Sequence, residues 1–365
     1  MKRAVCILIA LLFLPICVHA VSAEAYIAVD ALTGAVLAEQ NADLRHLIAS
    51  TTKLATAITV LSLVSLDDIV TVSDAATRVN GSSMYLKPGA EVTVRTLLYG
   101  LLLESGNDAA IALAEYAGHG SVDDFVGKMN ELASSLGLSN THFTNPHGLD
   151  HEDHYSTARD LAALTVYAMN DERIRTITST RDYRAEGYIL HNHNRLLRSI
   201  EGAEGVKTGF TKAAGRCLIS SVMRGGRRVI IVTLHAPDDW NDHRLLYEEA
   251  FAGMTERSYL EEGELVAHLR VQSGVSGVIG VRVTTGITMN LTDEEAARVK
   301  LRLYLPRFVY APMEAGSTAG RAELTLDGQV LAVSPLVFET DIGVKKPSPS
   351  IVERFFAFIR QYVME

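Results

Sequence analysis

The chain has 365 residues, 48% of them hydrophobic and 21% charged, which is enough apolar material for a large core and a length suited to two or three domains. Its formal net charge is −9, from 43 acidic and 34 basic residues without a long basic run, and that balance excludes a nucleic-acid backbone as partner. No internal repeat or low-complexity tract is present, and the composition is that of an ordinary globular protein.

The chain begins MKRAVCILIALLFLPICVHAVSA, a short basic start followed by an apolar run from Ala4 to Val18 and small residues at Ser22 and Ala23. This pattern predicts a secretory signal peptide over 1–23 cut after Ala23, with Val18-His19-Ala20 as a second site. A membrane anchor is the weaker reading because the run is short for a span, and Ile16 is bulkier than a lipid-modified Cys17 would want before it. Cys6 and Cys17 leave with the leader and only Cys217 remains, so no intramolecular disulfide can form in spite of export to an oxidising place. Cys217 lies in the small, apolar stretch AGRCLISS, where a packed thiol fits better than a nucleophile.

Residues 26–39, YIAVDALTGAVLAE, alternate around Leu32-Thr33-Gly34 and predict a β-hairpin. LIASTTKLATAIT, residues 47–59, follows as an apolar helix that carries Ser50 and Lys53 one turn apart. From 92 to 175 the period becomes helical, with TVRTLLYGLLLE, NDAAIALAEYAG, VDDFVGKMNELASSLG and TARDLAALTVYAM in turn. Strand signals return in EGVKTGFT, RCLISSVM and RVIIVTLHA, and the helix HRLLYEEAFA closes the unit. Strands at both ends with helices between predict one α/β domain over 24–255 whose first and last strands share a sheet. Residues 256–345 hold strand-like runs such as LVAHLRVQ, VIGVRVTT and VKLRLYL with little helix outside TDEEAARVK, which predicts a small all-β sandwich. A Lys-Pro-Ser-Pro linker then leads into SIVERFFAFIRQYVME within 346–365. On a helix, Ile351, Val352, Phe355, Phe356, Phe358, Ile359, Tyr362 and Val363 share one face and Glu353, Arg354, Arg360 and Gln361 the other. Such a helix is too short to span a bilayer and suited to lie in its interface; packing on its own protein or on a twin is the alternative.

Three short stretches carry chemistry. Ser50 and Lys53 form S-x-x-K, Ser105-Gly106-Asn107 stands in the break between two helices, and Lys207-Thr208-Gly209 lies on a strand. In this order they make the pattern of serine acyl-transfer enzymes that include penicillin-binding proteins and class A β-lactamases. Ser50 would attack a carbonyl, with Lys53 as its base once burial and the like charge of Lys207 have lowered the amine's proton affinity. Ser105 would relay the proton to the leaving nitrogen, and Asn107 would hold the substrate backbone or Lys53. Lys207 and Thr208 would meet a carboxylate, Gly209 would let a substrate strand lie close, and the backbone N–H groups of Ser50 and Phe210 would receive the oxyanion. Taken singly, Ser50 and Asn107 could be helix caps and Lys207 a solvated strand lysine; together they read as a catalytic constellation.

Through these motifs, and through SSMYLKPGAEVTV, LLLESGNDAA, TNPHGLDHEDHYSTARDLA, AGRCL and YAPMEAGSTAGRAELTLDG, the chain resembles the serine-type D-alanyl-D-alanine carboxypeptidases among the low-molecular-mass penicillin-binding proteins, from about residue 26 to 340. The resemblance implies a transpeptidase/β-lactamase-like α/β domain with a helical subdomain, then a β-rich domain and a membrane-anchoring helix. It implies removal of the terminal D-alanine from peptidoglycan stem peptides on the outer face of the cytoplasmic membrane, acylation of Ser50 by penicillin and other β-lactams, and no cofactor. Where some relatives place an arginine before the K-T-G strand, this chain reads NHNRLL, so His193 and Arg195 are the candidates to assist carboxylate binding. The histidines of HEDH at 151–154 and HNHN at 191–194 invite a zinc reading, but the first lacks the spacing of a helical pair, and no metal is expected. Of the competing activities, a β-lactamase would want an E-x-x-L-N stretch that is absent between 108 and 206, D,D-endopeptidase action uses the same motifs, and a wall-binding protein would not need all five polar residues.

Overall fold

The computed structural model describes residues 21–346 and 350–362. Most of the expected leader, part of the linker and the last three residues, Val363 among them, lie outside the described residues. The chain divides into two compact units, one built from 21–30, 35–222 and 229–250 and the other from 31–34, 223–228 and 251 onward.

The first unit opens with the hairpin, β1 (Ala25–Asp30) and β2 (Val36–Gln40), and then α1 (Lys53–Leu63). A small strand pair follows, β3 (Ile69–Thr71) and β4 (Glu91–Thr93), and after it α2 (Val94–Leu102), α3 (Asn107–Ala117), α4 (Val122–Ser135), α5 (Ala158–Ala168) and α6 (Glu172–Ser179). A second small hairpin, β5 (Asp182–Ala185) with β6 (Tyr188–His191), and the single turn α7 (Leu196–Ser199) precede β7 (Ala203–Thr211), β8 (Gly215–Arg224), β9 (Arg227–Leu234) and α8 (Asp239–Phe251). The sheet order is β2-β1-β9-β8-β7. The first strand pairs with the last, Ile27 opposite Val232, which closes a sheet over nearly the whole length of the unit as the strand pattern predicts. β7 is left at the free edge.

The helix α1 explains why its sequence carries no polar stripe. Lys53 and every residue through Leu61 are buried, as befits a helix apolar all round, and its two inner threonines are satisfied internally, Thr59 on the Ala55 carbonyl at 2.9 Å and Thr56 on the Pro146 carbonyl at 2.6 Å. Burial of Leu54, Ile58 and Leu61 contributes on the order of 2 kcal/mol each. α2, α4 and α5 are capped by Thr93, Ser121 and Thr157, each accepting from a backbone N–H one turn on. Missing from the sequence reading are α6, the β3–β4 pair and the β5–β6 hairpin, all short and without a sustained period.

The second unit holds β10 (Thr255–Leu260), β11 (Leu265–Gln272), β12 (Val278–Val283), β13 (Ile287–Leu291), α9 (Asp293–Arg298), β14 (Lys300–Tyr304), β15 (Phe308–Tyr310), β16 (Thr318–Leu326), β17 (Gln329–Phe338) and α10 (Ile351–Tyr362). A six-stranded sheet of order β14-β16-β17-β12-β11-β15 and the pair β10-β13 enclose a core in which Val281, Leu291, Ala322, Leu324 and Leu336 are fully buried. TDEEAARVK does form the helix, with Thr292 and Glu295 in a reciprocal capping box. On α10, Ile351, Val352, Phe355, Phe356 and Phe358 are exposed.

Candidate active site

The chain enters α1 through a 3-10 turn, Ala49–Thr52, so Ser50 sits on a tight turn and Lys53 starts the helix. Ala49 has φ +47°, a left-handed conformation that non-glycine residues seldom take. The turn is tied by the Thr51 hydroxyl donating to the Ile48 carbonyl at 2.6 Å and the Thr52 hydroxyl donating to the Ala49 carbonyl at 2.8 Å. It leaves Lys53 Nζ 2.9 Å from Ser50 Oγ. A loop glycine packs on the same turn: Gly148 has φ +86°, and a Cβ there would collide with the Ala49 carbonyl oxygen.

Lys53 is fully buried. Its Nζ also lies 2.7 Å from Asn107 Oδ1 and 2.6 Å from the His147 carbonyl oxygen, and Asn107 is held the right way round because its Nδ2 donates to the Asn80 carbonyl at 2.6 Å. Burial pushes the amine well below the ordinary lysine range, the like charge of Lys207 pushes it further, and Asp108 opposes them. A neutral amine has two N–H bonds and one lone pair. Two partners, a carbonyl and an amide oxygen, can only accept, so they take both N–H groups and the lone pair is left facing the Ser50 hydroxyl. The arrangement can remove the serine proton without an ionised base in the resting site.

Ser105 is nearly buried at φ +60° between α2 and α3. Asp108, one residue past Asn107, accepts from the Ser83 hydroxyl at 2.6 Å and from the Met84 and Leu86 backbone N–H groups at 3.0 Å each, which fixes the 83–86 loop beside the cleft. On the opposite side, β7 presents Lys207, buried and with its pKa brought down to about 7 by that burial, then Thr208, Gly209 and Phe210. A Cβ on Gly209 would lie 3.1 Å from the amide nitrogens of Ser50 and Thr51, so the strand passes as close to the nucleophile turn as glycine allows. Phe210 is 63% exposed, and the free edge of β7 is open to an added peptide strand.

The cleft between these parts measures about 370 Å³ and is lined by Ser50, Ser82, Ser105, Thr208, Gly209 and Phe210. His193 and Arg195 line it too, so every residue singled out in the sequence is brought to one place or directly behind it. His193 Nε2 is 3.0 Å from Glu104 Oε2, and the Arg195 guanidinium carbon lies 5.9 Å from the centre of the Trp240 ring. Four lining residues went unassigned in the sequence: Ser82, Arg216, Asp239 and Trp240. Arg216 pairs across the sheet with Phe210, and the two-residue alternation of a strand puts it on the same face as Thr208. Its Nε donates to Asp239 Oδ1 at 2.9 Å, and its guanidinium carbon is 5.7 Å from the Trp240 ring. Burial raises the Asp239 pKa, against the lowering by Arg216. Only the strand register could have assigned Arg216, since within AGRCL it is merely a polar residue on a strand. His147 and Asp108 were likewise unreadable, one acting through its carbonyl and the other as a loop anchor.

Comparison with known proteins agrees with this geometry. The profile of the peptidase S11 family, D-alanyl-D-alanine carboxypeptidase, matches residues 15–238, and that of the penicillin-binding protein 5 C-terminal domain matches 255–344. The chain is 34% identical over 334 residues to the D-alanyl-D-alanine carboxypeptidase DacF of Bacillus subtilis, covering 88% of this chain and 86% of that protein. It is 32% identical over 339 residues to DacA of Escherichia coli, covering 88% and 84%. Among solved structures, penicillin binding protein 5 of Haemophilus influenzae superposes with a TM-score of 0.63 at 30% identity over 89% of this chain and 98% of that one. The Streptomyces K15 DD-transpeptidase does so with a TM-score of 0.61 at 40% identity, over 64% and 98%. These relatives share the α/β catalytic domain and, in the penicillin-binding protein 5 type, the β-sandwich that follows it. The chain belongs to the S11 family of D-alanyl-D-alanine carboxypeptidases, the serine peptidases that bind penicillin.

Proposed function

We propose that this carboxypeptidase removes the terminal D-alanine from peptidoglycan stem pentapeptides through an acyl-enzyme on Ser50. The observation that carries the reading is the buried Lys53 amine, whose two acceptor partners, Asn107 Oδ1 and the His147 carbonyl, leave one lone pair for the Ser50 hydroxyl. Ser50 Oγ attacks the penultimate D-alanine carbonyl as its proton passes to Lys53 Nζ, and the N–H groups of Ser50 and Phe210 receive the developing oxyanion. As the tetrahedral intermediate collapses, the proton travels from Lys53 by way of Ser105 to the leaving nitrogen and D-alanine departs. Water then attacks the ester with Lys53 again as base, releasing the tetrapeptide and restoring Ser50. A β-lactam enters the same first step, its ring amide in place of the D-alanyl-D-alanine bond.

For the substrate carboxylate, Lys207 and Thr208 have a further partner in Arg216, which shares their strand pair and is aimed by Asp239. His193 and Arg195 border that end of the cleft. The exposed apolar residues of α10 support docking in a membrane interface; among the described residues no helix is long and apolar enough to cross a membrane. Of the two leader cleavage sites, Ala20 is favoured. Ser22 donates through its N–H and its hydroxyl to the two carboxylate oxygens of the buried Asp242 at 2.7 Å each, and Ala23 is buried, so a cut after Ala23 would remove part of the folded unit. N-terminal sequencing of the exported protein is expected to start at Val21; a start at Glu24 would refute this assignment.

The function is tested by D-alanine release from a diacyl-Lys-D-Ala-D-Ala peptide together with labelling by fluorescent penicillin. Both are expected from the parent, and Ser50→Ala should abolish both; turnover that survives in Ser50→Ala would remove the serine mechanism. The pH dependence of acylation has a fixed sign. Lys53 acts unprotonated, so the rate rises with pH through its pKa, and Lys207 is one cause of that pKa being low. Lys207→Met therefore should move the rising limb to higher pH, whereas Lys207→Arg should leave it near the parent's, each followed by stopped-flow acylation; an unmoved limb in Lys207→Met would exclude the electrostatic role. Arg216→Met is expected to lower kcat/KM by about 10- to 100-fold on a substrate with a free terminal carboxylate, the loss of one charge-assisted contact, with little change on the same peptide ending in an amide. Equal losses on both substrates would show that Arg216 does not read the carboxylate.

A further inference from the structure

The HEDH stretch contains a histidine that the acyl-transfer chemistry leaves unused. His154 is buried, its ring 5.8 Å from that of Phe143 in an edge-on contact. The Thr144 backbone nitrogen lies 3.0 Å from His154 Nδ1, and Thr52 Oγ1 lies 2.8 Å from His154 Nε2. A backbone N–H can only donate, so Nδ1 must offer its lone pair and the ring proton must sit on Nε2. Nε2–H then donates to Thr52 Oγ1, and the Thr52 hydroxyl keeps its own hydrogen for the Ala49 carbonyl at 2.8 Å. Each link allows one direction only, and the chain runs Thr144 to His154 to Thr52 to Ala49.

We infer that His154 is a positioning residue that aims the oxyanion donor of Ser50. The peptide unit joining Ala49 to Ser50 is planar, so holding the Ala49 carbonyl also sets the direction of the Ser50 N–H on the other side of the same plane. That peptide follows a left-handed alanine, a conformation the turn would abandon without outside ties, and Gly148 packs against the same carbonyl. Burial, together with the neighbouring His147, His142, His151 and Lys53, brings the His154 pKa down to about 3, which keeps the ring in the single neutral form that the chain of bonds requires. The role rests on the reading of Ser50 as the nucleophile.

His154→Gln and His154→Asn separate aiming from packing. A glutamine amide can reach Thr52 with an N–H, while asparagine ends where Nδ1 stood and can serve Thr144 alone. His154→Asn is expected to slow both penicillin acylation and D-alanine turnover by about 10- to 100-fold, below the loss of a whole oxyanion donor, with KM within about twofold, whereas His154→Gln stays within about threefold of the parent. Thr52→Val should lose as much as His154→Asn, and the double variant little more than either, because both break one chain. Thermal unfolding of each variant gives the folded fraction, and nitrogen NMR of the ring should find the proton on Nε2 from about pH 5 to about pH 9. Parental acylation in His154→Asn, losses in both variants that merely track unfolding, an additive double variant or a proton on Nδ1 would each overturn the role. A parent that penicillin fails to label on Ser50 would instead overturn the nucleophile reading, and this role with it, while the NMR result would still stand by itself.

Discussion

Everything in the catalytic unit answers to one constraint, a lysine amine with no access to water. An isolated buried ammonium is costly enough that the group gives up its proton instead, and the fold makes use of that. α1 supplies the dry surroundings, buried through Leu61, and two acceptors, from the start of α3 and from the 145–148 loop, occupy the N–H bonds of the neutral amine. A solvated lysine at the same spacing from Ser50 would be protonated near neutral pH and useless as a base. The apolar character of α1 is therefore part of the chemistry as well as of the core.

The same constraint accounts for part of the backbone strain. Ala49, Tyr85 and Ser105 all take positive φ; Ala49 precedes Ser50 in the turn that leads to Lys53, Ser105 lines the cleft two residues before Asn107, and Tyr85 lies in the loop that Asp108 anchors. Left-handed backbone costs roughly 1–2 kcal/mol per residue, and the structure holds these residues through bonds that are already present for other reasons: the threonine hydroxyls of the nucleophile turn, the Asp108 carboxylate, the close packing of Gly148 and Gly209. None of these ties is catalytic in itself. Each keeps a reacting group within hydrogen-bond reach of the next.

Much of this was legible in the sequence, and the limits have physical causes. Periodicity located α1 to α5 and the three strands β7, β8 and β9 because long elements repeat their pattern many times, and three ordered motifs located Ser50, Lys53, Ser105, Asn107 and Lys207 because acyl transfer restricts the residue types at each. Groups acting through the backbone left no mark: the His147 carbonyl that holds Lys53 would be the same with any side chain. Arg216 was hidden for another reason, since its partnership with Thr208 exists only once β7 and β8 pair in register, Phe210 opposite it. The helical reading of Ser50 was right in reach and wrong in detail, as the turn before α1 achieves with 3-10 geometry what a single α-helical face was expected to do. The zinc reading of HEDH and the hydrogen-bond chain through His154 draw on one property, an imidazole with two differently committed nitrogens, and sequence alone does not say to which partners.

The positions of the two lysines couple recognition to reactivity. The like charge of Lys207 lowers the proton affinity of Lys53, so without a counter-charge the amine is a weaker base. On the proposed reading, a substrate carboxylate docked on Lys207, Thr208 and Arg216 cancels much of that positive field. The proton affinity of Lys53 then rises at the moment the scissile carbonyl lies over Ser50, and a stronger base is formed by the group that identifies the substrate. A ligand without a carboxylate would bind the β7 edge and leave the base weak. Selectivity for a free terminal carboxylate would then appear in the chemical step as well as in binding, because the same buried charge that recognises the ligand also sets the basicity of the amine behind it.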